Sequence, residues 1–130
     1  MRPARPAGLD PAPPRAANAA MLIYKILRAP EWQVMQSQGR TRGAPVDLAD
    51  GYIHFSTAEQ VPGTLSRHFA AETGLMLLAC DAEAMAADLR WEPARNGALF
   101  PHLYRDLRMA DLRWSRAITQ GPDGPETGDL

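Results

Sequence analysis

The chain has 130 residues, of which 45% are hydrophobic and 22% are charged, and this composition fits one globular domain. Its 14 basic and 15 acidic residues give a formal net charge of -1, so the molecule lacks the positive field that drives non-specific binding to nucleic acid. No apolar run approaches the roughly 18 residues of a membrane span, and the single cysteine excludes an internal disulfide. We therefore expect a cytoplasmic monomer without a membrane partner.

Both ends of the chain differ in composition from its middle. Residues 1–20 are rich in proline and alanine and have little to bury, which predicts a disordered tail. Residues 21–118 contain the apolar runs and are expected to form the single globular domain. Residues 119–130, with several glycines and prolines, are expected to be a flexible C-terminal tail.

The first half of the domain is predicted to contain two strands and two helices. Apolar and polar residues alternate over residues 21–27, which favours a strand. Proline in a first turn and glycine as a stop predict a helix from Pro30 to Gly39. We expect a loop over Gly43–Asp50, a second strand over Gly51–Phe55, and a helix over residues 58–69.

The second half is predicted to be richer in strands. Leu75–Cys80 is apolar throughout, which predicts a buried strand that ends at a core cysteine. The alanine-rich composition of Ala82–Leu89 predicts a helix. The pair Asn96-Gly97 predicts a tight hairpin turn that leads into a strand over Leu99–Tyr104, and Leu112–Ile118 is expected to be the last strand. Short strands mixed with two or three short helices indicate an α+β fold.

The strand predicted over Gly51–Phe55 carries the first group of candidate functional residues. Tyr52, His54 and Ser56 share one face of this strand, while Ile53 and Phe55 point to the other face and into the core. A histidine on a polar face can hold a ligand hydroxyl or transfer a proton near neutral pH. The alternative is a structural histidine whose ring nitrogens bind neighbouring backbone groups.

A second group follows later in the chain. His102 and Tyr104 share one face of a strand, so their side chains can line one surface, and Pro101 fixes the backbone before them. Glu92 supplies a carboxylate ten residues earlier. Packing by His102 and Tyr104 and simple solvent exposure of Glu92 are the structural alternatives.

Two common kinds of site are not indicated. His54, His68 and His102 are too far apart to form a local zinc motif, and no cysteine pair exists, so we expect no metal. The serine-hydrolase motif Gly-x-Ser-x-Gly is absent. Ser56 has an expected structural task instead, because Ser56 and Glu59 fit a capping box at the start of a helix.

The motifs resemble the signature of the domain-of-unknown-function 952 family of small bacterial proteins, over about residues 21–118. The residues that carry this resemblance are Ile23-Tyr24-Lys25-Ile26, Trp32, Asp50-Gly51-Tyr52-Ile53-His54-Phe55-Ser56-Thr57, Gln60, Trp91-Glu92 and Phe100-Pro101-His102-Leu103-Tyr104.

That family in turn resembles a compact form of the ADP-ribosyltransferase fold, which includes the RNA 2′-phosphotransferases. The resemblance implies a split, curved, mostly antiparallel sheet that clamps NAD as a substrate. Tyr24 or Lys25 would take the place of the clamping residue on the first strand, and His54 would take the place of the second. The late catalytic position would be filled by Glu92 or by the pair His102 and Tyr104.

The leading hypothesis is therefore a protein that binds a nucleotide or an ADP-ribose-like ligand, with His54, Glu92, His102 and Tyr104 as catalytic candidates. The expected ligand-binding residues are Tyr24, Lys25, Tyr52, Ser56 and Thr57. An enzymatic version would be a transferase or hydrolase that acts at the nicotinamide–ribose bond, with a modified RNA as the one plausible nucleic-acid substrate. The alternative is a non-catalytic binding or protein-interaction module with structural histidines.

Overall fold

The computed structural model describes residues 21–130, so the tail predicted for residues 1–20 lies outside the described residues. Within the described range the chain forms helices α1 (Ala29–Gln38), α2 (Pro45–Asp50) and α3 (Val61–His68). The strands are β1 (Leu22–Leu27), β2 (Arg40–Thr41), β3 (Ile53–His54), β4 (Met76–Asp81), β5 (Leu89–Pro93), β6 (Leu99–Leu103), β7 (Leu107–Arg108), β8 (Leu112–Ala117), β9 (Thr119–Gly121) and β10 (Gly124–Glu126). The predicted α+β class is confirmed.

Two three-stranded antiparallel sheets form the frame of the domain. The first has the order β1-β4-β8 and the second has the order β3-β6-β5. An isolated bridge joins them, in which the backbone N–H groups of Tyr24 and Ser56 each donate to the other residue's carbonyl at 2.8 Å. A cleft lies beside this bridge, since both Tyr24 and Ser56 line it.

Strands β1 and β4 of the first sheet are buried on both faces, which explains their apolar runs. Ile23 and Leu78 point into a core that also contains Met35 of α1. Ile26 and Leu77 point to the opposite side and into a second core under α3. The cysteine predicted to be in the core is fully buried, and burial raises the pKa of its thiol to about 12.

Helix α2 replaces the loop predicted over Gly43–Asp50, so that prediction was wrong. Pro45 occupies the first turn, and the Asp47 carboxylate accepts a hydrogen bond of 2.7 Å from the Ala44 backbone N–H. Gly51 ends the helix with a φ of 85°, a conformation that glycine adopts at little cost. Proline near the start, an acidic first turn and a final glycine are all helix signals. The sequence analysis did not interpret them as a helix because the segment is short.

The helix predicted over Ala82–Leu89 is also wrong. The segment forms turns and a short 3-10 helix, Ala86–Asp88, and Leu89 already belongs to β5. Ala82 and Met85 are buried in the first core, and β5 pairs along its whole length with β6. Tertiary packing and strand pairing therefore overrode a local helix preference.

Two smaller features differ from the predictions at the ends of elements. The 3-10 helix before α3 is capped by Thr57, whose side chain pairs with Gln60 in a capping box, so the expected Ser56–Glu59 box is wrong. The segment 119–130, predicted to be a flexible tail, contains the antiparallel hairpin of β9 and β10. Gly121-Pro122-Asp123-Gly124 suits the tight turn between these strands.

The predicted hairpin at Asn96-Gly97 is confirmed. Both residues have a positive φ, 55° and 76°, and they connect β5 to β6. Among residues 21–130, no helix is long and apolar enough to cross a lipid bilayer.

Two leucines of β6 test how strongly this strand is held by the core. Leu103 is fully buried and Leu99 is 52% exposed. We expect Leu103→Ala to lower the free energy of unfolding by about 2–5 kcal/mol because it leaves a cavity, and Leu99→Ala to change it by less than about 0.5 kcal/mol. Urea unfolding of both variants measures the difference, and equal losses would contradict the described packing.

Candidate functional site

The cleft between the two sheets has a volume of about 620 Å³. Its walls include five of the sequence-predicted site residues, from both sheets and from the bridge that joins them. These residues are Tyr24, Lys25, His54, Ser56 and His102. Tyr52, Thr57, Glu92 and Tyr104 are not among the described residues that line the cleft, so their contribution is indirect.

The two histidines are cross-strand neighbours. His54 of β3 pairs with His102 of β6 in the strand register, and their ring centroids lie 5.3 Å apart. Side chains of directly paired residues point to the same side of a sheet. The structure therefore brings together two imidazoles from distant parts of the sequence, and both rings border the cleft.

Asp47 is the buried partner that fixes the first histidine. Its carboxylate oxygen Oδ1 accepts a hydrogen bond of 3.0 Å from the backbone N–H of His54 and lies 2.6 Å from His54 Nδ1. Its other oxygen, Oδ2, lies 2.7 Å from the ammonium group of Lys25, which also donates to the His54 carbonyl oxygen at 3.1 Å. All four contacts hold β1, α2 and β3 together at the cleft.

The electrostatics of Asp47 follow from these partners. Burial by itself disfavours the carboxylate, but the hydrogen bonds from His54 and the nearby Lys25 charge outweigh it and lower the pKa of Asp47 to about 2. Asp47 is therefore ionised throughout the physiological range. Sequence analysis missed this residue, because its helix was predicted to be a loop.

A second carboxylate, from Asp50, approaches the other side of the same ring. Asp50 Oδ2 lies 3.0 Å from His54 Nε2, and the Asp50 side chain is 44% exposed at the cleft wall. Both ring nitrogens of His54 are therefore in contact with a carboxylate oxygen, Nδ1 with Asp47 and Nε2 with Asp50. Asp50 was quoted in the family signature but was given no role from sequence.

Glu92 fixes the second histidine. Its Oε1 lies 2.8 Å from His102 Nδ1 and accepts a hydrogen bond of 2.7 Å from the Tyr104 hydroxyl. The hydrogen bonds from His102 and Tyr104 lower the pKa of Glu92, and the same hydrogen bond to Glu92 raises the pKa of Tyr104. Glu92 thus lies behind His102 rather than in the cleft, and it orients the His102 ring.

Tyr52 packs against both histidines. Its ring stacks on His102 with centroids 4.2 Å apart and lies 4.7 Å from the ring of His54 and 5.2 Å from that of Tyr104. Burial and the negative charges of Asp50 and Glu92 raise the pKa of Tyr52. This aromatic cluster restricts the imidazole orientations.

The remaining predicted residues divide between the cleft and its support. Ser56 is buried, and its hydroxyl lies 2.8 Å from the hydroxyl of Thr64 on α3. Tyr24 is also buried, with its ring centroid 5.9 Å from that of Trp114. Thr57 is occupied as the cap of the following 3-10 helix.

Comparisons with known proteins identify the relatives of this chain. The model of the family described as "Protein of unknown function (DUF952)" matches residues 26–115. The chain belongs to the DUF952 family. The predicted family membership is thereby confirmed, and the match includes every candidate residue from His54 to Tyr104 discussed above.

Three solved structures of one protein, CC0527 from Caulobacter crescentus, are similar to this chain at 45% sequence identity. Its crystal structure has a TM-score of 0.77 and the alignment covers 81% of this chain and 93% of that chain. The solution NMR structure has a TM-score of 0.72, with 81% and 90% covered. A search of curated proteins found no match.

Replacing Asp47 tests the buried network. Asp47→Asn leaves the Lys25 ammonium buried beside a neutral amide, and we expect the free energy of unfolding at pH 7 to fall by about 3–5 kcal/mol. Because the folded-state pKa of Asp47 is lowered from 3.8 to about 2, the stability due to its ionised form is present above about pH 4 and is lost as the pH falls through 2. Urea unfolding between pH 2 and pH 7 measures both effects.

The matched control is Asp123→Asn, which removes the same charge from the exposed turn between β9 and β10. This variant should change stability by less than about 0.5 kcal/mol at every pH. A difference between Asp47→Asn and the unaltered protein that stayed constant down to pH 2 would contradict the assigned ionisation.

Gly43 tests the space around the same carboxylate. A side chain at Gly43 would collide with Asp47, whereas nothing lies within 4 Å of a side chain placed at Gly74, and both glycines have a positive φ. Gly74→Ala should therefore cost only the backbone strain, about 1–2 kcal/mol, and Gly43→Ala should cost clearly more. Thermal and urea unfolding compare the two, and equal losses would contradict the close approach.

Proposed function

We propose that the cleft binds a nucleotide or an ADP-ribose-like ligand, and that the chemistry it serves is transfer or hydrolysis at the nicotinamide–ribose bond of NAD. The observation that carries this proposal is the convergence of His54 and His102 at one cleft. A cleft of about 620 Å³ lies within the range of roughly 300–1,000 Å³ that small-molecule sites occupy. In this proposal, the two sheets that the Tyr24–Ser56 bridge joins correspond to the split sheet of an ADP-ribosyltransferase-like fold.

The walls of the cleft suit a ligand with a flat ring and a polar sugar. Phe69 and Phe100 give apolar aromatic surface, and His54, His102 and Lys25 give polar groups. A mostly apolar wall with a few fixed polar groups is the usual composition of a cofactor or nucleotide pocket. An imidazole that is oriented by a carboxylate is suited both to hold a hydroxyl and to transfer a proton.

The proposed roles differ between the two carboxylate–histidine pairs. His102 is the group proposed to meet the ligand through Nε2, since Nδ1 is bound to Glu92. Glu92 acts through His102 and is a positioning residue, because it lies outside the lining of the cleft. In this proposal Glu92 orients the imidazole of His102, and that imidazole contacts the ligand.

Ligand titration of the purified protein tests this proposal. NAD, ADP-ribose and 2′-phosphorylated RNA are added while the ring resonances of His54 and His102 are followed by NMR. We expect both rings to respond to at least one of these ligands. Complete absence of a response at millimolar concentration would overturn the proposal, and mass spectrometry of any co-purified ligand gives an independent answer.

Variants separate binding from chemistry. His102→Ala should weaken the binding of the responding ligand about tenfold or more, because a hydrogen bond to a charged group contributes about 1.5–3 kcal/mol. Glu92→Gln should reduce nicotinamide release from NAD more than it reduces NAD binding, because it disturbs the orientation of the ring and not the cleft. Calorimetry measures binding and chromatography measures nicotinamide.

A second candidate function is a non-catalytic binding module, and one observation favours it. The polar groups of the cleft are already engaged within the protein: Lys25 with Asp47, and His54 with Asp47 and Asp50. Under this alternative, His54→Ala and His102→Ala lower the melting temperature and leave the calorimetric response to every tested nucleotide unchanged.

A further inference from the structure

We propose that the Asp50 carboxylate occupies the position of a ligand oxyanion on His54 Nε2, so that Asp50 is a built-in competitor that the ligand displaces. The inference rests on the proposed function, because it assigns one part of the proposed nucleotide ligand, its phosphate oxygens, to one atom of the cleft. It concerns a residue that no sequence argument selected.

The two carboxylates that contact His54 differ in how firmly they are held. The Asp47 side chain is fully buried, and it also contacts Lys25 and two backbone N–H groups. The Asp50 side chain is 44% exposed and lies at 3.0 Å from Nε2, against 2.6 Å for the contact of Asp47 with Nδ1. A ligand can therefore exchange with Asp50 but not with Asp47.

The position of Asp50 in the fold keeps the free-energy cost of this exchange low. Asp50 is the last residue of α2 and is followed by Gly51 in the left-handed conformation. Its carboxylate can leave Nε2 by rotation of the side chain into solvent, without a change in β3. Partly exposed ion pairs contribute little to stability, so the contact is strong enough to fill the position and weak enough to be displaced.

The chemistry of the displaced group indicates the chemistry of the ligand. Nε2 is satisfied in this structure by an anionic oxygen, and a phosphate oxygen offers the same charge and the same acceptor. Both Asp50 and His54 border the cleft, so a phosphate that replaces the carboxylate lies inside it. While Asp50 stays nearby, its charge also repels the incoming anion.

Removal of the Asp50 charge gives a result opposite to that of removing an ordinary binding residue. The experiment uses the full chain and compares Asp50→Asn and Asp50→Ala with the unaltered protein, with ADP-ribose, inorganic pyrophosphate and adenosine as probes. We expect ADP-ribose and pyrophosphate to bind about two- to fivefold more tightly to both variants, the gain that corresponds to loss of an exposed ion pair. Adenosine, which has no phosphate, should bind all three proteins equally.

Asp123→Asn is the control, since it changes the net charge equally at a site in the C-terminal turn. It should leave every affinity unchanged. If Asp123→Asn raised the ligand affinity as much as Asp50→Asn, the effect would be due to net charge alone, and the inference would be overturned. The response of the His54 ring nitrogens to pyrophosphate is followed by NMR in each protein, which locates the binding.

The remaining outcomes separate this inference from the proposed function. Unchanged or weaker ADP-ribose binding in the Asp50 variants overturns the competitor role, while the nucleotide proposal stands on the binding itself. If ADP-ribose and the other nucleotides fail to bind any of the proteins, the proposed function falls. In that case a pyrophosphate response at His54 that is stronger in Asp50→Asn still supports the competitor role, and its absence overturns that role too.

Discussion

The buried ion pair between Lys25 and Asp47 is the interaction on which the site depends. Removing two charges from water costs several kcal/mol for each ion, and the cost is offset only when the geometry is close and the remaining valences are satisfied. Here the ammonium and carboxylate are 2.7 Å apart, and the same carboxylate accepts from the backbone N–H groups of Ala44 and His54. The pair therefore fixes the relative positions of β1, α2 and β3.

The orientation of the cleft follows from that pair. Lys25 lies on β1, next to the residue that bridges to Ser56, and Asp47 lies on α2, which leads through Gly51 into β3. Asp47 then fixes the ring orientation of His54, and the strand register places His102 beside it. Since the carboxylate of Asp47 both holds the histidine, through Oδ1, and neutralises the lysine, through Oδ2, the stability of the fold and the geometry of the cleft depend on one side chain.

Two carboxylate–histidine pairs of different character meet at the cleft. Asp47 is buried and binds His54 from inside the fold, whereas Glu92 is half-exposed and binds His102 together with the Tyr104 hydroxyl. Tyr52 packs between these groups and limits the movement of both imidazoles. The cleft thus presents rigid polar groups on a sheet, a placement more precise than one on loops, and Asp50 is the exposed acid among the contacts of His54.

The sequence alone determined the features that rest on local patterns. Alternation around His54 placed Ile53 and Phe55 in the core and His54 on the opposite face, and Asn96-Gly97 marked a hairpin because both residues accept a positive φ. The alternation in β1 and the continuous apolar run of β4 also predicted strands, because each pattern lies within one short segment of the chain. The family signature lay in these same local strings.

The tertiary structure decided everything that depends on partners distant in the chain. The segment Ala82–Leu89 had the composition of a helix, yet the pairing of Leu89 with Leu103 and the burial of Met85 made it turns and strand. From the sequence, Asp47 and Asp50 were interpreted as acidic residues of a loop. Their contacts with Lys25 and His54 are visible only in the tertiary structure. Helix propensities of ordinary residues differ by less than about 1 kcal/mol per residue. Burial of a side chain and ion pairing across the fold each contribute several kcal/mol, so the distant contacts prevailed.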